Sequence, residues 1–409
     1  MIMTLFYTFF YSDTVSSPSG NETAIQGNFT EFEYVKGYTK SEIIGLGESF
    51  SKLSWQEIAG FGFKNDYDVD IFRIKYYTLH PKKGTVLSSG LIMIPKSADK
   101  KSFPLLSLQH GTVVRKSDAP SSRLNSAEVK TAVLFCAEGF IVLMADYIGM
   151  ESFTGIMHPY CQSDALAYSV IDLVRAFRRI EKDRMDVKND EGYFLMGYSE
   201  GGYATMSAAK KMSEKYPEEF KITACSPMAG PFDLSETMLE IMLSYNTYPS
   251  PYYLPYVLLG YREVYDFYSN PNEIFKNPYD KTIPPLFNGK HSGREISDSM
   301  CNSGIPRNTL NEDFIKEIKS KKGILYEALR KNDLYDWKPE FPIKLIHSVS
   351  DDQVPYENSV KAYNRFIENG AKFVTLVPIL GEKKHTESAY VAIPIANLWF
   401  LEFLKEKTE

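Results

Sequence analysis

The chain predicts an α/β fold: a mostly parallel central sheet flanked by helices, with a helical cap inserted late in the chain. Three observations carry this. From about residue 104 onward, short apolar runs alternate with amphipathic helical stretches. Parallel strands need crossover helices, so this alternation builds a sheet covered on both faces. The alternation stops over residues 231–340 and resumes at Ile343, which marks an insertion. Finally, 409 residues that are 44% hydrophobic and 24% charged suffice for a large buried core.

The elements follow in order. Residues 1–11 are an apolar run, and a small, polar stretch covers 13–20. Together they have the apolar core and cleavage region of an export signal without its positive leading segment. Sequons at Asn21 and Asn28 follow. The expectation is a secreted or periplasmic protein, with a cytoplasmic one as the alternative, and residues 1–69 form an N-terminal extension.

Residues 70–78 and 86–94 predict a hairpin, joined through the Pro81-Lys-Lys-Gly84 turn. Next come a strand at 104–108, a helix at 126–138 stopped by Gly139, and a buried strand at 140–145. A long helix spans 164–179, with Leu166, Val170, Leu173, Val174 and Phe177 at helical spacing. A strand at 193–196, a helix at 200–215 and a strand at 222–228 complete the first part, 70–230.

The insertion, 231–340, has no clear strand. It carries an aromatic and leucine-rich stretch at 252–261, read equally as a lipid-facing lid or a structural helix, and a helical charge pattern at 314–331. The second part, 341–409, predicts a strand at 343–348, a helix at 357–368, a strand at 374–378 and a last helix from about 388 to 405.

Bulk properties exclude some classes. A net charge of -6 argues against nucleic acid as the partner, because phosphate binding needs a basic surface. No run approaches the roughly 20 apolar residues of a transmembrane segment. Cys136, Cys161, Cys225 and Cys301 are unevenly spaced and match no zinc pattern, so no metal site is expected. The pattern does not set the oligomeric state.

The strongest local signal is Gly197-Tyr-Ser199-Glu-Gly201-Gly202, lying between a predicted strand and a predicted helix. A serine at so sharp a turn has a strained backbone and an exposed hydroxyl, as a nucleophile needs. The following helix turns its positive N-terminal end toward the same point. Acyl chemistry also needs N–H donors for a developing oxyanion. Gln109-His-Gly-Thr112 follows a strand and supplies the natural second contributor, so the backbone N–H groups of Thr112 and Glu200 are the expected hole. Gly111 would let the chain turn tightly beside the substrate. Gly111 and Tyr198 are the expected substrate contacts. His110, Asp146 and His158 are read as structural residues that shape loops near the site.

Four segments then carry a resemblance: Gln109-His-Gly-Thr112, Ala145-Asp-Tyr-Ile-Gly149, His158-Pro-Tyr160 and Gly197-Tyr-Ser-Glu-Gly-Gly202. Through them the chain resembles the α/β-hydrolase superfamily from about residue 70 onward, and within it the secretory-lipase-type microbial esterases. The resemblance implies hydrolysis of small-molecule carboxylic esters, with lipids in range, a cap over the sheet and no cofactor. It also implies the chain order serine, acid, histidine.

That order leaves three histidines. His291 lies in the insertion and His347 within a strand, whereas His385 sits in the loop before the last helix, where the base belongs. The acid belongs after the strand at 343–348. Asp351 and Asp352 are both there, and the spacing of Asp351 before Val354-Pro355 favours it. Asp352 is the turn or helix-capping residue. One departure is Ser348, where the acid motif usually has glycine.

Two rivals are weaker. A peptidase of prolyl-oligopeptidase type shares Gly201-Gly202-Tyr203, but only some 100 residues precede the core, too few for a propeller. A non-catalytic binding protein of this fold usually lacks a triad member.

Overall fold

The computed structural model describes residues 25–405 apart from 100–101, 152, 185–186, 190–191 and 301–303. The apolar run at 1–11, the Asn21 sequon and Cys301 lie outside the described residues. Nine strands form one sheet: β1 Phe29–Tyr38, β2 Asp68–His80, β3 Gly84–Lys96, β4 Leu105–Gln109, β5 Ile141–Ala145, β6 Tyr193–Tyr198, β7 Ala224–Met228, β8 Ile343–Ser348 and β9 Val374–Ile379. Their spatial order is β1-β2-β3-β5-β4-β6-β7-β8-β9. The first three strands are antiparallel, as is the β3–β5 pair, and every pairing from β5 to β9 is parallel.

The expected hairpin is present and longer than expected. β2 and β3 stay in register from Asp68 opposite Lys96 to His80 opposite Gly84. The central strands β4 and β5 are buried at every residue, which is why they read as continuous apolar runs. Two helices cover one face, Ser163–Arg184 and Glu200–Lys215, and the first buries Leu166, Val170, Leu173, Val174 and Phe177. Each such side chain contributes roughly 1.5–3 kcal/mol by leaving water. Ala127–Glu138 and His385–Lys405 cover the other face. Ser126 caps the first of these through the Val129 N–H, and Gly139 ends it at φ 115°.

Residues 29–60 add structure that the pattern did not reveal. β1 pairs with β2 as the edge strand of the sheet. Behind it, helices Lys40–Ser51 and Trp55–Gly60 each start in a capping box, Thr39 with Glu42 and Ser54 with Glu57. Ile43 and Ile58 pack into the same cluster as Val129 and Val133, so this pair of helices roofs helix Ala127–Glu138.

After β7 the chain leaves the sheet and returns beside it, with Cys225 opposite Ile343. Between lie helices including Tyr253–Tyr265, Gly293–Met300, Glu312–Lys319 and Ile324–Lys331. The expected single helical stretch at 314–331 is two helices, because Lys321 and Gly323 adopt positive φ (57° and 90°) between them. In helix Tyr253–Tyr265, Leu254, Tyr256, Leu258 and Tyr261 are buried. Its hydroxyls tie the cap to the sheet: Tyr256 donates to the Val113 carbonyl (2.8 Å) and Tyr253 to Gln353 Oε1 (3.0 Å). Just before that helix, Tyr248 donates to the Gln353 carbonyl (2.6 Å).

Among the described residues, no helix is long and apolar enough to cross a membrane, and no group of three or more His, Cys, Asp or Glu could hold a metal ion. Cys136, Cys161 and Cys225 are buried free thiols.

Candidate active site

β6 runs through the sheet and ends at Tyr198, and helix Glu200–Lys215 begins two residues later. Ser199 bridges them at φ 62°, ψ -124°, a conformation a non-glycine residue adopts only where its surroundings impose it. They do so here. The Ser199 N–H donates to the Met228 carbonyl at 3.0 Å, and its own carbonyl accepts from Tyr203 N–H at 3.0 Å. The flanking glycines make the turn sterically possible. A Cβ at Gly197 would lie 2.3 Å from the Gly201 carbonyl oxygen, and one at Gly201 would lie 2.2 Å from that of Gln109.

His385 is the first residue of the last helix, three residues earlier than the sequence pattern placed the helix start. Its Nε2 lies 2.8 Å from Ser199 Oγ and its Nδ1 lies 2.6 Å from Asp351 Oδ2. A carboxylate only accepts, so Nδ1 carries the proton and Nε2 is left to accept from the serine hydroxyl. Both residues are almost fully buried, Ser199 at 8% and His385 at 4% exposure. Tyr198 holds the histidine from below. Its hydroxyl donates to the His385 carbonyl (2.7 Å) and sits 2.8 Å from Ser388 Oγ.

Asp351 lies in the loop after β8 with a fully buried side chain. Burial works against its charge, but hydrogen bonds from His347 and His385 and the charges of those rings outweigh it. They hold the carboxyl well below the usual carboxylate range. The other oxygen, Oδ1, accepts from the Gln353 and Val354 N–H groups at 2.9 and 2.8 Å. Asp352 points elsewhere. Its Oδ1 accepts from the His385 N–H at 3.2 Å, so it caps the last helix rather than the one that follows it in sequence.

His347 is the residue the sequence reading set aside. It is fully buried at the end of β8, with Nδ1 2.8 Å from Ser359 Oγ. Its Nε2 lies 2.9 Å from the Val354 carbonyl and 3.2 Å from Asp351 Oδ2. Because the Val354 oxygen can only accept, Nε2 is the protonated nitrogen and donates toward the same carboxylate oxygen that takes the His385 proton bond.

Thr112 lines the same cavity as Ser199, and Glu200 follows the serine directly in the chain. Glu200 opens its helix, so its N–H has no carbonyl within that helix to bond. The Glu200 side chain is buried, with Oε1 2.8 Å from His158 Nε2. His158 Nδ1 donates to the Ile148 carbonyl at 2.7 Å, which fixes the ring with Nε2 facing the Glu200 carboxyl. Thr112 Oγ1 meets the Tyr160 hydroxyl at 2.9 Å. Gly111 differs from expectation. Its φ is not positive, and a Cβ there would meet only the Tyr198 carbonyl oxygen at 3.6 Å, an ordinary contact. No tight turn requires a glycine at 111, although the residue does line the cleft described next.

His110 and Asp146 hold loops together. The His110 ring nitrogens face the carbonyls of Gly111 and Asp146, and the Asp146 carboxylate accepts from Ser89 Oγ (2.5 Å) and from Ser121 N–H (2.8 Å).

Two cavities meet at Ser199. A narrow channel of about 60 Å³ runs under the cap, lined by Glu200, Met238, Leu239, Leu254, Leu258 and Leu329 among others. A wide cleft of about 630 Å³ opens on the other side, reaching Gly111, Thr112, Tyr198 and His385. A buried serine with a histidine acceptor and an ionised carboxylate behind it can perform acyl transfer.

Comparison with known proteins finds likenesses at the level of family and fold. The family described as secretory lipase matches residues 117–241, a segment that contains Ser199 and excludes Asp351 and His385. A secreted triacylglycerol lipase of Malassezia globosa is 25% identical over 350 residues, covering 81% of this chain and 71% of that lipase. A presumptive hydrolase from Legionella pneumophila superposes with a TM-score of 0.81 at 25% identity, covering 92% of this chain and 98% of that one. The rice cell wall degrading esterase of Xanthomonas oryzae has the same fold, with a TM-score of 0.78 at 22% identity over 94% of this chain and all of that one.

Proposed function

We propose that this chain, an α/β-hydrolase that resembles the secretory lipases, is a serine hydrolase that cleaves carboxylic esters through an acyl-enzyme on Ser199. The observation that carries the reading is the continuous hydrogen-bond line from Asp351 through His385 to the Ser199 hydroxyl. In the first step His385 Nε2 takes the serine proton as Oγ attacks the ester carbonyl carbon. The carbonyl oxygen gains charge between the Thr112 and Glu200 N–H groups. Asp351 keeps its charge and stabilises the imidazolium. The carbon–oxygen bond to the alcohol then breaks, and the alcohol leaves with the proton held by His385. Water repeats the sequence on the acyl-enzyme and releases the acid.

The substrate class follows from the cavity walls. The channel beside Ser199 is lined mainly by Leu, Met and aromatic residues, which suits a hydrocarbon acyl chain. The secreted lipase from Malassezia supports both a lipid-like ester and export as the working context.

The test is hydrolysis of aryl esters with acyl chains from acetyl to palmitoyl, beside aminoacyl anilides, for the wild type and Ser199→Ala. Ester turnover should fall by roughly 10⁴ to 10⁶ in the variant with substrate binding largely kept. A variant that keeps near-wild-type turnover overturns the assignment of the nucleophile. Anilide turnover without ester preference would replace the esterase with a peptidase.

A further inference from the structure

We infer that the wide cleft is the binding site for the alcohol half of the ester, and that it takes a large, mainly hydrocarbon alcohol. The inference rests on the serine esterase reading above and adds which half of the substrate goes where.

The argument is stereochemical. The tetrahedral carbon formed on Ser199 Oγ carries three further groups: the oxyanion, the acyl chain and the alkoxy group. The oxyanion is directed to the Thr112 and Glu200 N–H groups. The alkoxy oxygen must lie within reach of His385 Nε2, because that nitrogen supplies the proton with which the alcohol departs. The alcohol therefore extends on the His385 side of the serine. His385 lines the wide cleft, and from the same helix so do Thr386, Ala389, Tyr390 and Ile393. The narrow channel touches Ser199 and Glu200 but is not lined by His385. An alcohol placed in that channel would hold its oxygen away from the proton donor, so the channel is left for the acyl chain.

Of the two spaces the cleft is the larger, about 630 against 60 Å³, so more room is given to the alcohol than to the acyl chain. The cleft is within the usual range for a site that encloses a drug-sized ligand, roughly 300–1,000 Å³. Its walls include Leu53, Ile58, Phe63, Leu134, Tyr390 and Ile393, with Glu128, Thr131 and Gln353 as polar neighbours. Leu53, Ile58 and Phe63 come from the segment ahead of β2, so residues absent from the expected hydrolase core help to build this site.

The experiment holds the acyl group constant and varies the alcohol. Ethyl, dodecyl and cholesteryl butyrate are presented in the same detergent micelles to the wild type, Ala389→Trp and Leu53→Trp. The two variants fill the cleft from two separate segments of its wall, and both sites are partly exposed. The wild type should prefer at least one bulky ester over the ethyl ester by about tenfold or more in kcat/KM, the range a hydrophobic pocket can provide. Both variants should lower that ratio several-fold, and the ratio separates loss of the cleft from loss of folded enzyme. Dodecyl against cholesteryl separates a straight chain from a fused ring as the occupant. Equal turnover of all three esters, or a bulky-alcohol preference that both variants retain, overturns the alcohol assignment while leaving the esterase standing. Failure of the wild type to cleave any ester overturns the esterase reading and this assignment with it.

Discussion

Replacing His347 with leucine removes one of four donors that hold the Asp351 carboxylate. Three remain: His385 Nδ1 at 2.6 Å and the Gln353 and Val354 N–H groups at 2.9 and 2.8 Å. The lost bond is 3.2 Å long and shares its proton with the Val354 carbonyl. A hydrogen bond to a charged group contributes about 1.5–3 kcal/mol, and a long, shared one belongs at or below the low end of that range. About 1–2 kcal/mol in the barrier corresponds to a loss of roughly 5- to 30-fold in kcat. KM should stay within about twofold, because His347 contacts no substrate position. Three donors keep Asp351 ionised at neutral pH, so the loss should be equally large at pH 7 and pH 8. Leucine also strips partners from the Val354 carbonyl and the Ser359 hydroxyl, costing about 1–3 kcal/mol of stability for each group left unpaired. His347→Gln separates the two effects, since its amide nitrogen restores a donor near Nε2. The assay is steady-state hydrolysis of a short aryl ester, with thermal unfolding run alongside. A folded leucine variant whose kcat lies within twofold of the wild type, or a glutamine variant no better than leucine, refutes the positioning role.

Asp351 and Asp352 are adjacent but make different contacts. Asp351→Asn should lower kcat by about 10³- to 10⁴-fold through loss of the histidine's orienting charge. Asp352→Ala removes only a helix cap and should cost about 1 kcal/mol in unfolding free energy. Kinetics showing the larger loss at Asp352 would reverse the assignment. Glu138 ends helix Ala127–Glu138 in a buried position, and burial pushes its carboxyl up to about 8, with Asn397 and Lys64 acting the other way. A raised carboxyl favours the folded state below its unfolded value of 4.5, and this contribution is lost as pH rises toward 8. Glu138→Gln should therefore unfold at a higher temperature than the wild type at pH 8.5 and lose much of the slope between pH 5 and 8. Thermal melts with the same slope in both proteins would refute this.

The parallel half of the fold was legible because its burial is simple. β4 and β5 are buried throughout and the intervening helices have one apolar face, so apolar runs and helical spacing mark them directly. Ser199, Asp351 and His385 could be picked out because chain order and loop position narrowed six histidines to one. β1 was not legible, because it is an edge strand with bulges at residues 29–31 and 34–36, which break the two-residue alternation. The helices behind it did carry a signal in Thr39-x-x-Glu42 and Ser54-x-x-Glu57, a spacing that marks helix starts. His347 was passed over because it lies within a strand, whereas the base was sought in a loop. At the last turn of a strand, however, a side chain can reach the loop that follows. Gly111 shows the opposite error, since a glycine was given a backbone reason where the backbone has none.

The insertion between β7 and β8 leaves and rejoins the sheet at neighbouring strands, with Cys225 facing Ile343 across the gap. Bringing the ends of a segment of about 110 residues together costs roughly 4 kcal/mol of chain entropy, and this cost grows only with the logarithm of length. Doubling the segment would add only about 0.6 kcal/mol. Strand register and the residues of the line from Asp351 to Ser199 lie outside it, and the insertion reaches the loops beside them through Tyr248, Tyr253 and Tyr256. Away from these three contacts, then, it is the part of this chain that can lengthen, shorten or be exchanged with little change in the entropy of closing the sheet. New acyl preferences could therefore arise there by insertion and deletion, while the reacting groups stay in place.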